Sequence, residues 1–195
     1  MNRSIRNLLL AAAAVAPLAA CSDRVRYEDP EAVETIDPRF GSTDLQTIAR
    51  ELTDSFLATN AWTGERPRIV FGGVANRTKQ HLDTQNITDT IRTSLVQSGK
   101  FRVLAGDQGI DEIAKETDYQ QSGAVDRAAA VQLGMQLGAE YVFFGRFTEI
   151  AKEAGSVESR WMKFTLNAVD VQTREIVWAD EVQISKIKDS SFLGW

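Results

Sequence analysis

Apolar residues recur along most of this chain with one of two periods, and the period changes from segment to segment. Leu45, Ile48, Ala49, Leu52 and Phe56 follow at i, i+3, i+4, i+7 and i+11, a single stripe that predicts a helix over about residues 42–59. Thr43 and Gln46 at its start have the spacing of a capping box. Arg68-Ile69-Val70-Phe71-Gly72-Gly73-Val74 is a short, nearly continuous apolar run behind Pro67, the pattern of a strand covered on both faces. Ile87, Ile91 and Leu95 at steps of four predict a second helix that stops near Gly99, and Phe101-Arg102-Val103-Leu104 alternates as a second strand.

Two more helices are expected around residues 107–117 and 126–137, the second rich in alanine and suited to close packing on a sheet. Residues 141–150 then read as a strand. In residues 161–171, Met162, Phe164, Leu166 and Ala168 share one face while Lys163, Thr165 and Asn167 share the other. Beyond the turn at Gln172-Thr173-Arg174, residues 175–186 place Ile176, Trp178, Val182 and Ile184 on one face. The breaks between these last three strands are too short for crossover helices, so they form an antiparallel meander. The order αβαβααβββ predicts an α/β (α+β) domain in which helices pack on a mixed sheet of about five strands. Trp178 is expected to fill the core, and the Gly72-Gly73 pair to serve a tight turn or a close backbone contact.

The N-terminus follows neither period. Arg3 and Arg6 precede an apolar run from Leu8 to Leu18, the length of a signal-peptide core and too short to span a bilayer as a helix. Leu18-Ala19-Ala20-Cys21 resembles the lipobox of bacterial lipoproteins, in which cleavage after Ala20 leaves an acylated Cys21 as anchor. An ordinary secretory signal beside an incidental cysteine is the alternative, and a lone free thiol is unusual in an oxidising compartment. Stable anchoring needs two or more acyl chains, which such a cysteine receives. Ser22 after the cysteine resembles the residue that passes lipoproteins on to the outer membrane. Residues 1–20 are thus read as a signal peptide, 21–41 as a lipidated, flexible tether with two prolines, and 42–195 as one globular domain. The tether's roughly 20 residues span at most ~70 Å extended and roughly 25 Å as a coil.

Composition narrows the function. Loss of Arg3 and Arg6 takes the formal charge from −5 to −7, and no Lys/Arg cluster compensates, which argues against a nucleic-acid partner. Nucleophilic catalysis needs a base beside its nucleophile, yet His81 is the only histidine and lies in a polar loop. One histidine and one cysteine leave only carboxylates for a metal, with no EF-hand spacing. Gly72-Gly73 lacks the remaining glycine of GxGxxG. No enzyme, cofactor, metal or small-molecule ligand is expected.

The segments VFGGVANRT, ITDTIRTSLVQSGKFRVL, LGAEYVFFGRF and LNAVDVQTREIVW, in that order behind the opening helix, resemble the LpoB family. These are outer-membrane lipoprotein activators of class A penicillin-binding proteins, with a fold akin to the N-terminal domain of TolB. The resemblance implies a periplasmic, lipid-anchored binding module that docks on a peptidoglycan synthase and biases it toward an active state. Asn76, Arg77, Thr78, His81 and Arg146 are the candidate partner-binding residues. For Asn76 to Thr78 the alternative is a loop capped by its own side chains, and for Arg146 it is pairing with a nearby carboxylate. The family generally carries a longer, proline-rich linker. The shorter tether here favours the alternative of a CsgG-like or flagellar-type lipoprotein acting in assembly, against which no strand pair is long and amphipathic enough for an outer-membrane barrel. The tail Ser190-Ser191-Phe192-Leu193-Gly194-Trp195 is expected to dock on its own domain or on a partner.

Overall fold

The computed structural model describes residues 27–34, 37–60, 62, 64–106 and 127–190. Ala20, Cys21, the helix expected at 107–117 and the tail at 191–195 lie outside these described residues. The elements are α1 (Ser42–Ala58), β1 (Arg68–Arg77), α2 (Thr84–Gln97), β2 (Arg102–Val103), α3 (Arg127–Leu137), β3 (Tyr141–Ala154), β4 (Val157–Asp170) and β5 (Ile176–Asp189). The strands form one mixed sheet in the order β2-β1-β3-β4-β5. β1 runs parallel to β2 and β3, and β3, β4 and β5 are the expected antiparallel meander.

Topology decides which face each helix covers. The crossover from β1 to β2 moves one way across the sheet, and the return from β2 to β3 moves the other, past β1. Right-handed crossovers in opposite directions put their helices on opposite faces. Accordingly α2 lays Ile87, Ile91 and Leu95 against Ile69 and Phe71, beside Ile48, Leu52 and Phe56 of α1. α3 sits on the other face, its Ala130 and Val131 against Val70, Val142 and Val169. The larger core is aromatic at its centre. The Phe56 ring lies 4.7 Å from Phe143, 4.9 Å from Phe101 and 5.2 Å from Trp178, offset or edge-on arrangements that add to the gain from burial. Trp178 is therefore a core residue, as its strand position implies.

The glycine pair in β1 has a backbone role. Phe71 pairs with Phe143 and Val74 with Gly145, so Gly72 and Gly73 together oppose Phe144 alone in a β-bulge. Gly73 takes φ +101, and a Cβ on Gly72 would lie 2.8 Å from the Ala130 Cβ. Only a bare backbone lets α3 approach this closely.

The ends of elements differ from the sequence reading in three places. The N-cap of α1 is Gly41, and Asp44 reaches back to accept from the Gly41 N–H at 2.9 Å, while Thr43 Oγ1 accepts from the Glu34 N–H at 2.8 Å. The cap thus lies two residues before Thr43. Strands β3 and β4 run on to a two-residue turn at Gly155-Ser156, and β5 continues to Asp189, beyond the expected 150, 161 and 186. Ile176 does not share the face of Trp178. Ala168 pairs with Trp178 but Val169 with Ile176, so Val177 is an extra residue that reverses the alternation and leaves Ile176 half exposed.

The compact unit begins at Glu31, upstream of Ser42. Phe40 packs edge-on to Phe147 with ring centres 5.1 Å apart, its N–H donates to Gln80 Oε1 at 3.0 Å, and Lys186 Nζ donates to the Arg39 carbonyl at 2.9 Å. The end of the segment read as tether is therefore fastened to the sheet. No helix among the described residues is long and apolar enough to cross a membrane.

Candidate partner-docking face

The alternation of β1 separates Asn76 from Arg77, and the five candidate residues fall in three places: Asn76 with Thr78, Arg77 with Arg146, and His81 by itself. Asn76 pairs with Phe147 on the helix-covered face, and its side chain is spent on the loop that follows. Its Oδ1 accepts from the Thr78 N–H at 2.9 Å and from Thr78 Oγ1 at 2.8 Å, and its Nδ2 donates to the Gln80 carbonyl at 2.8 Å. Thr78 Oγ1 in turn accepts from the Gln80 N–H at 3.1 Å. Asn76 and Thr78 are thus a self-capped turn, the structural alternative of the two readings.

Gln80 extends this network into the sheet. Its Nε2 donates to Glu149 Oε1 at 2.6 Å, and the same carboxylate, almost wholly buried, pairs with Arg160 at 2.7 Å. Arg160 also pairs with Glu158 at 2.6 Å. Hydrogen bonds to Glu149 and then Glu158 raise the guanidinium pKa above its ordinary value. Asp44 and Lys186, 2.6 Å apart, close the cluster, which clamps the Arg39 to Gly41 approach and the β1–α2 loop onto the strands. Each buried charge has a partner, so the cluster is sufficient as a structural clasp.

Arg77 and Arg146 behave differently. Both are exposed on the face opposite α1 and α2, where Arg146 pairs in register with Ala75 and Thr165, and Arg77 with Thr148. Together they line an open depression of about 200 Å³ with Ala75, Phe144, Gly145, Thr165 and Asn167. Neither guanidinium pairs with a carboxylate of the described residues, so Arg146 marks an exposed face. His81 is exposed in the β1–α2 loop and does not line this depression.

α3 covers only the Val70, Val142 and Val169 end of this face, and no other described helix lies on it. Beyond the two arginines it continues along β3, β4 and β5 with Ile150 opposite Trp161 and Ile187 opposite Ser159. Ile150 is 52% and Ile187 72% exposed, unusual for isoleucines in paired strands. Lys163 lies between the halves, but its charge is met by Glu181 at 3.2 Å. Hydrogen bonding from Gln183 and then Lys163 lowers the pKa of Glu181. Trp161, Ile150 and Ile187 were not among the residues singled out from sequence. The available signal was Gly155-Ser156 between alternating segments, which extends the hairpin past Trp161.

The arrangement suits recognition of a macromolecule: a broad sheet face carrying aromatic, aliphatic and unpaired arginine side chains, the residue types that dominate interface energetics. Among the described residues no group of three or more His, Cys, Asp or Glu side chains is placed to hold a metal ion.

Comparison with known proteins gives a consistent result. The family model described as peptidoglycan-synthase activator LpoB matches residues 44–184. The chain is similar to the penicillin-binding protein activator LpoB of Citrobacter koseri, 25% identical over 155 residues that cover 80% of this chain and 68% of that protein. It is likewise 25% identical to the protein of that name from Escherichia coli K12 over 162 residues, 83% of this chain and 71% of the other. Among solved structures, the LpoB C-terminal domain from Salmonella enterica shares the fold, with a TM-score of 0.51 at 23% identity over 72% of this chain and 98% of that domain.

Proposed function

This chain belongs to the LpoB family of peptidoglycan-synthase activators, and from that premise we propose that it is a lipid-anchored periplasmic protein that binds a class A penicillin-binding protein and shifts it toward an active conformation. The observation that carries the reading is the family match across residues 44–184, nearly the whole of the compact unit. Activation of this kind requires only that the module bind one state of the synthase more tightly than the other. A tenfold stimulation corresponds to about 1.4 kcal/mol of differential affinity. No catalytic group is asked of this chain, in keeping with a family of activators.

The anchor is Cys21, acylated after cleavage behind Ala20, and it holds the domain at the outer membrane. With the compact unit starting at Glu31, about ten residues separate anchor and domain, a reach of at most ~35 Å. Reaching a synthase then draws on the domain's own length, on a thinner gap, or on a synthase domain that comes part of the way. A second reading, an assembly module working close to the membrane in the manner of CsgG-like or flagellar lipoproteins, draws its support from this short reach.

The test is capture from detergent-solubilised envelopes with the full, lipidated chain, followed by a glycan-polymerisation assay on any penicillin-binding protein recovered. Recovery with faster polymerisation is expected. Recovery of other envelope components without a synthase would refute the activator reading, and a Cys21→Ser chain that still fractionated with the outer membrane would refute the anchor.

A further inference from the structure

The open sheet face has two halves of different chemistry. At its centre Arg77 and Arg146 stand on adjacent strands without a carboxylate partner among the described residues, in a chain whose formal charge is −5. Toward the β3–β4 turn, Trp161 is flanked by Ile150 directly across β3 and by Ile187 diagonally on β5. Arg146 is in register with Thr165, and Trp161 lies four positions further along β4, which places the two centres ~13 Å apart. Both fit within the roughly 800 Å² that one partner contributes to a stable protein interface.

The two faces of this end of the sheet differ. Glu149, Glu158, Arg160 and Lys186 occupy the other face, where their charges pair with one another and with Asp44. Among the described residues the two isoleucines are exposed without such company, and the half-buried Trp161 between them has only the Lys163 ammonium, 5.9 Å from its ring centre. Exposed apolar side chains grouped on a strand face are an aggregation hazard unless something covers them.

We propose that this face is the synthase-binding surface and that its halves divide the work. Trp161, with Ile150 and Ile187, inserts into an apolar depression of the penicillin-binding protein, and Arg77 and Arg146 engage acidic side chains about 13 Å away. The inference rests on the activator reading and adds the contact chemistry of the partner. Charge complementarity selects the occupant: two unpaired guanidinium groups call for carboxylates, and the apolar half calls for a folded protein surface that excludes water from it. Desolvated aromatic anchors set how long a complex lasts, while peripheral charges set how fast it forms.

The experiment measures association and dissociation rates between the full chain in detergent and the penicillin-binding protein recovered with it. Trp161→Ala is expected to raise the dissociation rate about tenfold or more with little change in association. The double variant Arg77→Glu/Arg146→Glu is expected to slow association about tenfold at low salt and to flatten its salt dependence. Trp161→Phe keeps most of the apolar area and should bind nearly as the parent does, which controls for folding. Arg50→Ala, exposed on α1, should leave both rates unchanged. Variants of either half that bind as the parent chain does, or a loss equal to that in Arg50→Ala, would overturn the assignment while the activator reading stands. Failure of the parent chain to bind the synthase would instead remove the activator reading itself. If these substitutions abolished self-association of the chain, or its binding to anionic lipid vesicles, and left synthase binding intact, the face would belong to a second copy or to a membrane and the proposal would be wrong.

Discussion

Asn76 and Arg77 are neighbours in β1 with opposite roles, and replacing each by alanine separates them. Asn76 makes three side-chain hydrogen bonds, two accepted from Thr78 and one donated to the Gln80 carbonyl. A net hydrogen bond contributes about 0.5–1.5 kcal/mol, and water can replace part of the set in a half-exposed turn. Asn76→Ala should therefore cost about 1–2.5 kcal/mol, a fall in melting temperature of roughly 3–8 °C for a domain of this size. Gln80 holds both Phe40 and Glu149, so some of the loss is passed to the clasp on the N-terminal approach. Arg77 is exposed and pairs with no described carboxylate. Arg77→Ala should leave stability within about 0.5 kcal/mol and weaken synthase binding. Urea and thermal unfolding of the two variants, beside binding at a temperature where both are folded, gives the comparison. An Asn76→Ala chain as stable as the parent would refute the self-capped turn, and an Arg77→Ala chain destabilised by more than about 1 kcal/mol would show a structural contact for the arginine.

Gly72→Ala forces a Cβ into Ala130 and should cost about 1–3 kcal/mol by overpacking; Gly73→Ala, at φ +101, should cost about 1–2 kcal/mol. Chemical denaturation reads both, and parent-like stability for either would contradict the bulge. Arg174 adopts φ +64 in the β4–β5 turn, so Arg174→Gly should raise stability by up to about 1 kcal/mol, and a clear drop in melting temperature would count against strain there. Lys186→Met strips the buried Asp44 carboxylate of its cation and should cost about 2–4 kcal/mol, at the low end because Lys186 is partly exposed; in a double-mutant cycle with Asp44→Asn, coupling near zero would refute the pair. The Asp37 carboxyl is held at about 2 by hydrogen bonds from Arg39, below its ordinary 3.8. Because the folded value is depressed, its contribution is complete above about pH 4 and is lost as pH falls through about 2. Carbon-detected NMR titration should give that midpoint, and Arg39→Ala should return it toward 3.8.

Much of the architecture was legible because one face of every long element is buried. The stripe through Ile48, Leu52 and Phe56 and the alternation through Met162, Phe164, Leu166 and Ala168 each state their own period. Boundaries were less legible where side-chain chemistry competes. Thr43 looks like a cap, but Asp44 reaches the Gly41 N–H first, and the Thr43 hydroxyl is taken by Glu34 and Ala32. Strict alternation puts Ile176 on the wrong face because the bulge at Val177 shifts register, and the local sequence carries no glycine to announce it. Of the candidate site residues, Arg77 and Arg146 share the open face, whereas Asn76 and Thr78 are committed to their turn.

The open face itself could not be read from periodicity, since alternation says that a strand has two sides without saying which side a helix will cover. Connectivity supplies that answer. The return crossover from β2 to β3 delivers a helix to the arginine face, and its described part, α3, reaches Val70, Val142 and Val169. After β3 the chain adds strands by hairpins, which bring no helices, so β4 and β5 extend the sheet without extending that cover. The opposite face has α1 and α2 and the Asp44–Lys186 and Glu149–Arg160 pairs to finish it. Among the described residues no helix reaches Ile150 and Ile187, which stay exposed beside the half-buried Trp161, and apolar side chains at such positions call for a partner that completes the layer.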